Sequence, residues 1–92
     1  MNVEFDPDKD AANIEKHGLS FRDFPGFDDL PIVSVDERHD YDEDRFLAIG
    51  RVGDRYFAIV YVERGTRIRL ISFRRAHAKE YRQYERRLGR QS

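Results

Sequence analysis

The sequence contains no cysteine, so disulfides and thiolate metal sites are excluded. No apolar run approaches the ~20 residues needed for a membrane-spanning helix. The opening Met-Asn-Val-Glu-Phe-Asp has neither the basic n-region nor the apolar h-region of a secretory signal, and a cytoplasmic protein is expected. Internal repeats and low-complexity linkers are also missing, and only Gly89-Arg90-Gln91-Ser92 has the composition of a loose tail. The acid-rich segment 37–44 lacks the glycine and the terminal glutamate of an EF-hand loop. His39 stands near Asp36, Asp40 and Asp42, but short acidic loops are usually solvated, so no metal and no cofactor is expected.

What remains is a chain of 92 residues, which sets residues 1–92 as one small domain with room for a single core. A hydrophobic content of 39%, with seven Phe and five Tyr, is enough to fold, and it outweighs the disordered reading that 38% charged residues would otherwise invite. The net charge of -1 conceals a division. Residues 1–44 carry 14 acids against 4 bases, and residues 45–92 carry 4 acids against 13 bases. Either the basic half meets an anionic partner, or the two halves neutralise each other within the fold.

Val3 to Phe5 reads as a short strand, followed by a helix with Asp6 as N-cap, Pro7 at its first position and Gly18 as its stop after His17. Ala11, Ile14 and Leu19 give that helix a thin apolar stripe, which predicts docking on the surface of a sheet. Ser20 caps one further helical turn with Phe21, Phe24 and Phe27 as core anchors, and Pro25-Gly26 ends it. Strands follow over 31–36, 45–51 and 55–62, the last two joined by a Gly53-Asp54 hairpin turn that pairs Ile49 with Ala58, Leu47 with Val60 and Phe46 with Tyr61. A final helix carries His77, Tyr81, Tyr84 and Leu88 at spacings of four, three and four, a docking stripe.

Tyr61 to Arg75 organises the rest. Apolar and charged residues alternate on both sides of Gly65, which predicts a hairpin. A three-residue loop, Glu63-Arg64-Gly65, would pair Val62 with Thr66, Val60 with Ile68 and Ala58 with Leu70. Tyr61, Arg67 and Arg69 would then share the opposite face. Six arginines fall between residues 64 and 82, namely Arg64, Arg67, Arg69, Arg74, Arg75 and Arg82. Guanidinium forks bind phosphate in a bidentate manner and Tyr61 can stack a base, which suits single-stranded RNA. RNA cleavage needs a group to take the 2′-hydroxyl proton and cations to stabilise the phosphorane. His17 or Glu63 can move the proton, Arg64, Arg69 and Arg74 can hold the charge, and Tyr61 can serve as acid or stacking platform. For His17, the end of a helix is already a favourable structural position, and each arginine can equally pair with a carboxylate of the acidic half.

Asp6-Pro7, Lys16-His17-Gly18, Phe21, Phe27-Asp28-Asp29, Asp36-Glu37-Arg38-His39, Arg45-Phe46, residues 60–65, residues 67–72 and Arg74-Arg75-Ala76 together resemble the BrnT toxin family in order along nearly the whole chain. The resemblance implies an α+β, RelE-like small domain, with N-terminal helices and a C-terminal helix packed on a mainly antiparallel sheet. It further implies a metal-independent endoribonuclease that inhibits translation as the toxin of a type II toxin–antitoxin system. A BrnA-type antitoxin would neutralise it, commonly in an assembly of two copies of each chain. The site residues it implies are Lys16, His17, Arg38, Arg64, Arg69 and Arg74, with Tyr61 and Glu63 beside them. The sequence departs from the family pattern at Phe24-Pro25-Gly26, where related chains continue the second helix with alanine-like residues. It departs again at Phe73, where a small residue is usual and a change in substrate access is expected. The alternative is a non-catalytic RNA- or protein-binding module.

Overall fold

The computed structural model describes residues 3–36 and 44–89, with side chains as far as residue 87. The chain runs β1 (Val3–Glu4), α1 (Pro7–His17), a 3-10 turn (Phe21–Asp23), β2 (Ile32–Val35), β3 (Phe46–Val52), β4 (Arg55–Arg64), β5 (Arg67–Arg75) and α2 (Ala78–Gly89). It is an α+β arrangement of two helices on one five-stranded sheet of order β1-β5-β4-β3-β2. Among the described residues, the β1–β5 pairing is parallel and the other three are antiparallel. The expected start and stop of α1 are present: the Asp6 carboxylate accepts from the Asp8 N–H, and Gly18 takes the left-handed conformation at φ 73°. The second helical element is a single 3-10 turn, capped by Ser20.

The β3–β4 hairpin has the expected register, with Ile49 opposite Ala58, Leu47 opposite Val60 and Phe46 opposite Tyr61. The β4–β5 hairpin does not. Its turn has two residues, Gly65-Thr66, with Arg64 opposite Arg67 and Val62 opposite Arg69. A glycine at φ 63° in the first central position satisfies a tight two-residue turn without the extra loop residue. Farther along, Tyr61 faces Leu70 while Val60 faces Ser72, so Ile71 is an extra residue in β5, a bulge.

These two features redistribute the faces. One face gathers Ala48, Ile59, Tyr61, Ile68, Leu70 and Phe73 with Phe21, Phe24 and Phe27. The other joins Leu47, Ile49 and Ala58 to Tyr84 of α2, and it also carries Arg69 opposite Val62 and Arg74 opposite Ala58. Tyr61 therefore lies across the sheet from Arg67 and Arg69, not beside them.

The aromatic face holds the main core. Leu70 is 0% exposed, and Phe21 meets Phe5 edge-on at 5.6 Å between centroids. The two departures from the family pattern touch: the Phe24 and Phe73 rings lie 5.3 Å apart at 63°. Phe73 is buried in this core, so its side chain fills volume next to Phe24 and Phe57 rather than guarding a substrate path. Gly50 is needed beneath this layer, because a Cβ there would meet the Phe27 ring at 2.5 Å.

α1 docks differently from the expectation. Ile14 is 45% exposed, whereas Asp10 and Asn13 are buried. The Asn13 side-chain amide donates to the carbonyls of Leu19 at 2.8 Å and Phe73 at 2.9 Å, and its oxygen accepts the Phe73 N–H at 3.1 Å. It thus satisfies the edge of β5 past the point where the two-residue β1 stops, which is where an unpaired backbone would otherwise be costly. Asp10 accepts from the Phe21 N–H at 2.7 Å and from the Ser20 hydroxyl, fixing the following turn. α2 uses Tyr84, which is buried, and Tyr81, stacked on Tyr56 at 5.3 Å. His77 is not on that docked stripe: it precedes the helix and is 72% exposed. Leu88, the last residue of the expected stripe, lies outside the described side chains.

Candidate active site

α1 ends against β5 at the bulge, and the junction leaves an open cleft of about 210 Å³ lined by Lys9, Ala12, Asn13, Lys16, His17, Ile71 and Ser72. No carboxylate is among these lining residues. The bulge and the Asn13 bridge place it, since both hold α1 beside Ile71-Ser72. His17 is half-buried there. Burial, then the positive charges of Lys16, Arg74 and His77, push its pKa below the ordinary value of 6.5. A neutral imidazole surrounded by cations is suited to accept a proton from a substrate bound as an anion.

Arg74, two residues beyond Ser72 of the lining on β5, stands close enough for its charge to act on His17. Its two terminal nitrogens bind both oxygens of Glu80, each at 2.9 Å, and only 14% of its side chain is exposed. Arg74 first, opposed by burial and helped by the His77 N–H, holds the Glu80 carboxyl below its usual range. Glu80 also accepts the His77 backbone N–H at 2.7 Å, the return half of a capping box.

The remaining predicted residues separate into three groups. Arg67 and Arg69 stand farther along the basic face, held by Glu4 of β1 at 3.2 and 3.1 Å. The Arg69 hydrogen bond, opposed by burial and aided by Arg67, lowers the Glu4 pKa. Arg64 ends β4 opposite Arg67. On the other face, Tyr61 stacks on Phe46 at 5.5 Å and shares an apolar pocket of about 150 Å³ with Phe24, Phe27, Pro31, Ala48, Ile59, Glu63 and Ile68. Burial, then the Glu63 charge, raises the Tyr61 pKa, which makes it a poor acid near neutrality. Arg75 lies over the Phe57 ring at 5.8 Å, and Arg82 is exposed on α2. Arg38 and His39 lie outside the described residues.

The structure thus brings Lys16, His17 and Arg74 together and separates them from Tyr61 and Glu63. Sequence reasoning missed Glu80, whose signal was the E three residues after His77 in a capping-box position. It missed the bulge because alternation alone does not reveal an inserted residue. Part of the charge division is neutralised within the fold, where Glu4 and Asp29 of the acidic half pair with Arg67, Arg69 and Arg51. Among the described residues no group of three or more His, Asp or Glu side chains is placed to hold a metal ion, and no helix is long and apolar enough to cross a membrane.

The model of the family described as the ribonuclease toxin BrnT of type II toxin–antitoxin systems matches residues 5–80. No curated protein matches the chain.

Proposed function

The chain belongs to the BrnT family of ribonuclease toxins of type II toxin–antitoxin systems, and from that premise we propose that it cleaves RNA without a metal, in the cleft between the end of α1 and the β5 bulge. The observation that carries this reading is an open cavity lined by Lys9, Lys16 and His17 and by no carboxylate, with the Arg74 charge close enough to act on His17. His17 takes the proton of a ribose 2′-hydroxyl. The O2′–P bond forms as the P–O5′ bond breaks, and the departing oxygen is protonated from solvent, leaving a 2′,3′-cyclic phosphate and a 5′-hydroxyl. Lys16 and Arg74 stabilise the charge on the non-bridging oxygens, where fixed cations are worth most. Arg64, Arg67, Arg75 and Arg82 guide the backbone of the RNA. Arg69 takes the same guiding role, because it stands on the other side of the β5 bulge from Arg74.

The same reading makes the protein a cytoplasmic, RelE-like single domain that arrests translation. A BrnA-type antitoxin neutralises it in an assembly with two copies of each chain. The arginine–carboxylate pairs favour one alternative, a module that binds RNA or protein without cutting. Purified protein incubated with RNA in EDTA separates the two. Cleavage with 2′,3′-cyclic or 3′-phosphate ends, and growth arrest relieved by the adjacent antitoxin, is expected. Activity abolished by EDTA would contradict metal independence, and tight binding with no cleavage would establish the module.

A further inference from the structure

We propose that Glu80 is a positioning residue of the active cleft, which fixes the Arg74 guanidinium so that its side-on fork faces the scissile phosphate. The proposal rests on the cleft assignment above and adds the first turn of α2 to the site.

A guanidinium has five N–H donors. In Arg74, Nη1 donates to Glu80 Oε1 at 2.9 Å and to the Arg75 carbonyl at 3.2 Å, and Nη2 donates to Glu80 Oε2 at 2.9 Å. Three donors are therefore engaged, and the plane of the group is fixed at three points. The two that remain are Nε–H and the second Nη2–H, and these project side by side from one edge of the guanidinium. That pair has the spacing to grip two oxygens of a phosphate. Glu80 occupies the end-on edge, and these bonds leave the two side-on N–H groups uncommitted.

Glu80 is itself held. Its Oε1 accepts the His77 N–H at 2.7 Å, and the His77 Nδ1 lies 3.8 Å away. The carboxylate is thus tied to the start of α2, and α2 is tied to the sheet through Tyr84 and the Tyr56–Tyr81 stack. Arg74 alone is a long side chain with several rotatable bonds. Pinned in this way, it loses that freedom on folding rather than on meeting substrate, the condition for oriented charge stabilisation. The cost is electrostatic: a carboxylate beside Arg74 weakens the attraction of the cleft for phosphate. Alignment is gained and ground-state affinity is given up, and a residue with a merely structural role would not separate these two quantities.

Glu80→Gln keeps an oxygen to accept the His77 N–H but removes the charge and breaks the two-point grip on Arg74. The probes are a mixed-sequence single-stranded RNA for cleavage and its 2′-deoxy copy for binding. Single-turnover cleavage is expected to fall about 10- to 100-fold, while the deoxy strand binds equally well or roughly two- to fivefold more tightly. In an Arg74→Lys background, where no end-on fork exists, Glu80→Gln should add no further loss of cleavage. Wild-type cleavage by Glu80→Gln, parallel loss of binding and cleavage in a folded variant, or full additivity with Arg74→Lys would each overturn the proposal. Wild-type protein that cuts no RNA would overturn the proposed function as well, and so the two failures are distinct.

Discussion

Arg69 and Arg74 stand on one strand and point to one face of the sheet, and each holds a glutamate, yet their surroundings differ. Arg69 is 34% exposed and shares Glu4 with Arg67, itself 63% exposed. Arg74 is 14% exposed and has Glu80 to itself among these arginines. The first is an open ion pair that ties the short strand β1 to β5, and water and salt screen it. The second is a half-closed pair beside His17 and Lys16, where charge acts through less solvent. Position relative to the bulge, not residue type, divides an edge tether from the cation proposed for catalysis.

Three substitutions sharpen that contrast. His17→Ala carries the largest expected effect, a loss of about 10²- to 10⁴-fold in cleavage. The wild-type rate should rise with pH to a plateau whose midpoint lies below 6.5, because burial and the neighbouring cations depress the His17 pKa. The base is the neutral form, so activity falls as pH drops through that depressed value. A pH–rate profile with its midpoint above 6.5, or unchanged cleavage by the alanine variant, breaks the assignment. Asn13→Ala comes next. It orphans the Phe73 N–H and removes a partner from the carbonyls of Leu19 and Phe73, and urea unfolding should show a loss of about 1–3 kcal/mol. A change within experimental error would mean that α1 docks by other contacts. Tyr61→Phe should have the smallest effect, a rate within about twofold of wild type, since Tyr61 lies on the face opposite Arg69 and Arg74 and loss of one hydroxyl there is mild. A large loss of cleavage in that variant would return Tyr61 to the site.

Much of this architecture is legible in the sequence, and the misreadings have physical causes. Asp6, Pro7 and Gly18 fix α1 to the residue because caps are local chemistry. Gly53-Asp54 sets the β3–β4 register because a two-residue turn allows only one pairing. The β4–β5 register fails for the converse reason: Gly65 is compatible with either loop length, and the extra residue at Ile71 leaves no compositional trace. The shorter turn put Ile68 and Leu70 on the face of Tyr61 and left Arg67 and Arg69 on the opposite one. The docking of α1 was hidden because periodicity counts apolar residues, while Asp10 and Asn13 are polar groups buried against backbone partners. Lys16 and His17 were readable as a pair at the helix end, but only the fold shows that Arg74 reaches them and that Tyr61 and Glu63 do not.

The most direct test of the division along β5 is the ratio of cleavage rates for Arg74→Ala and Arg69→Ala, measured under single-turnover conditions on one RNA. Arg74→Ala should lose about 10²- to 10³-fold, while Arg69→Ala stays within about threefold of wild type because its pair with Glu4 is open to solvent. Equal losses, or a larger loss for Arg69→Ala, would contradict the placement of the active cleft at the β5 bulge.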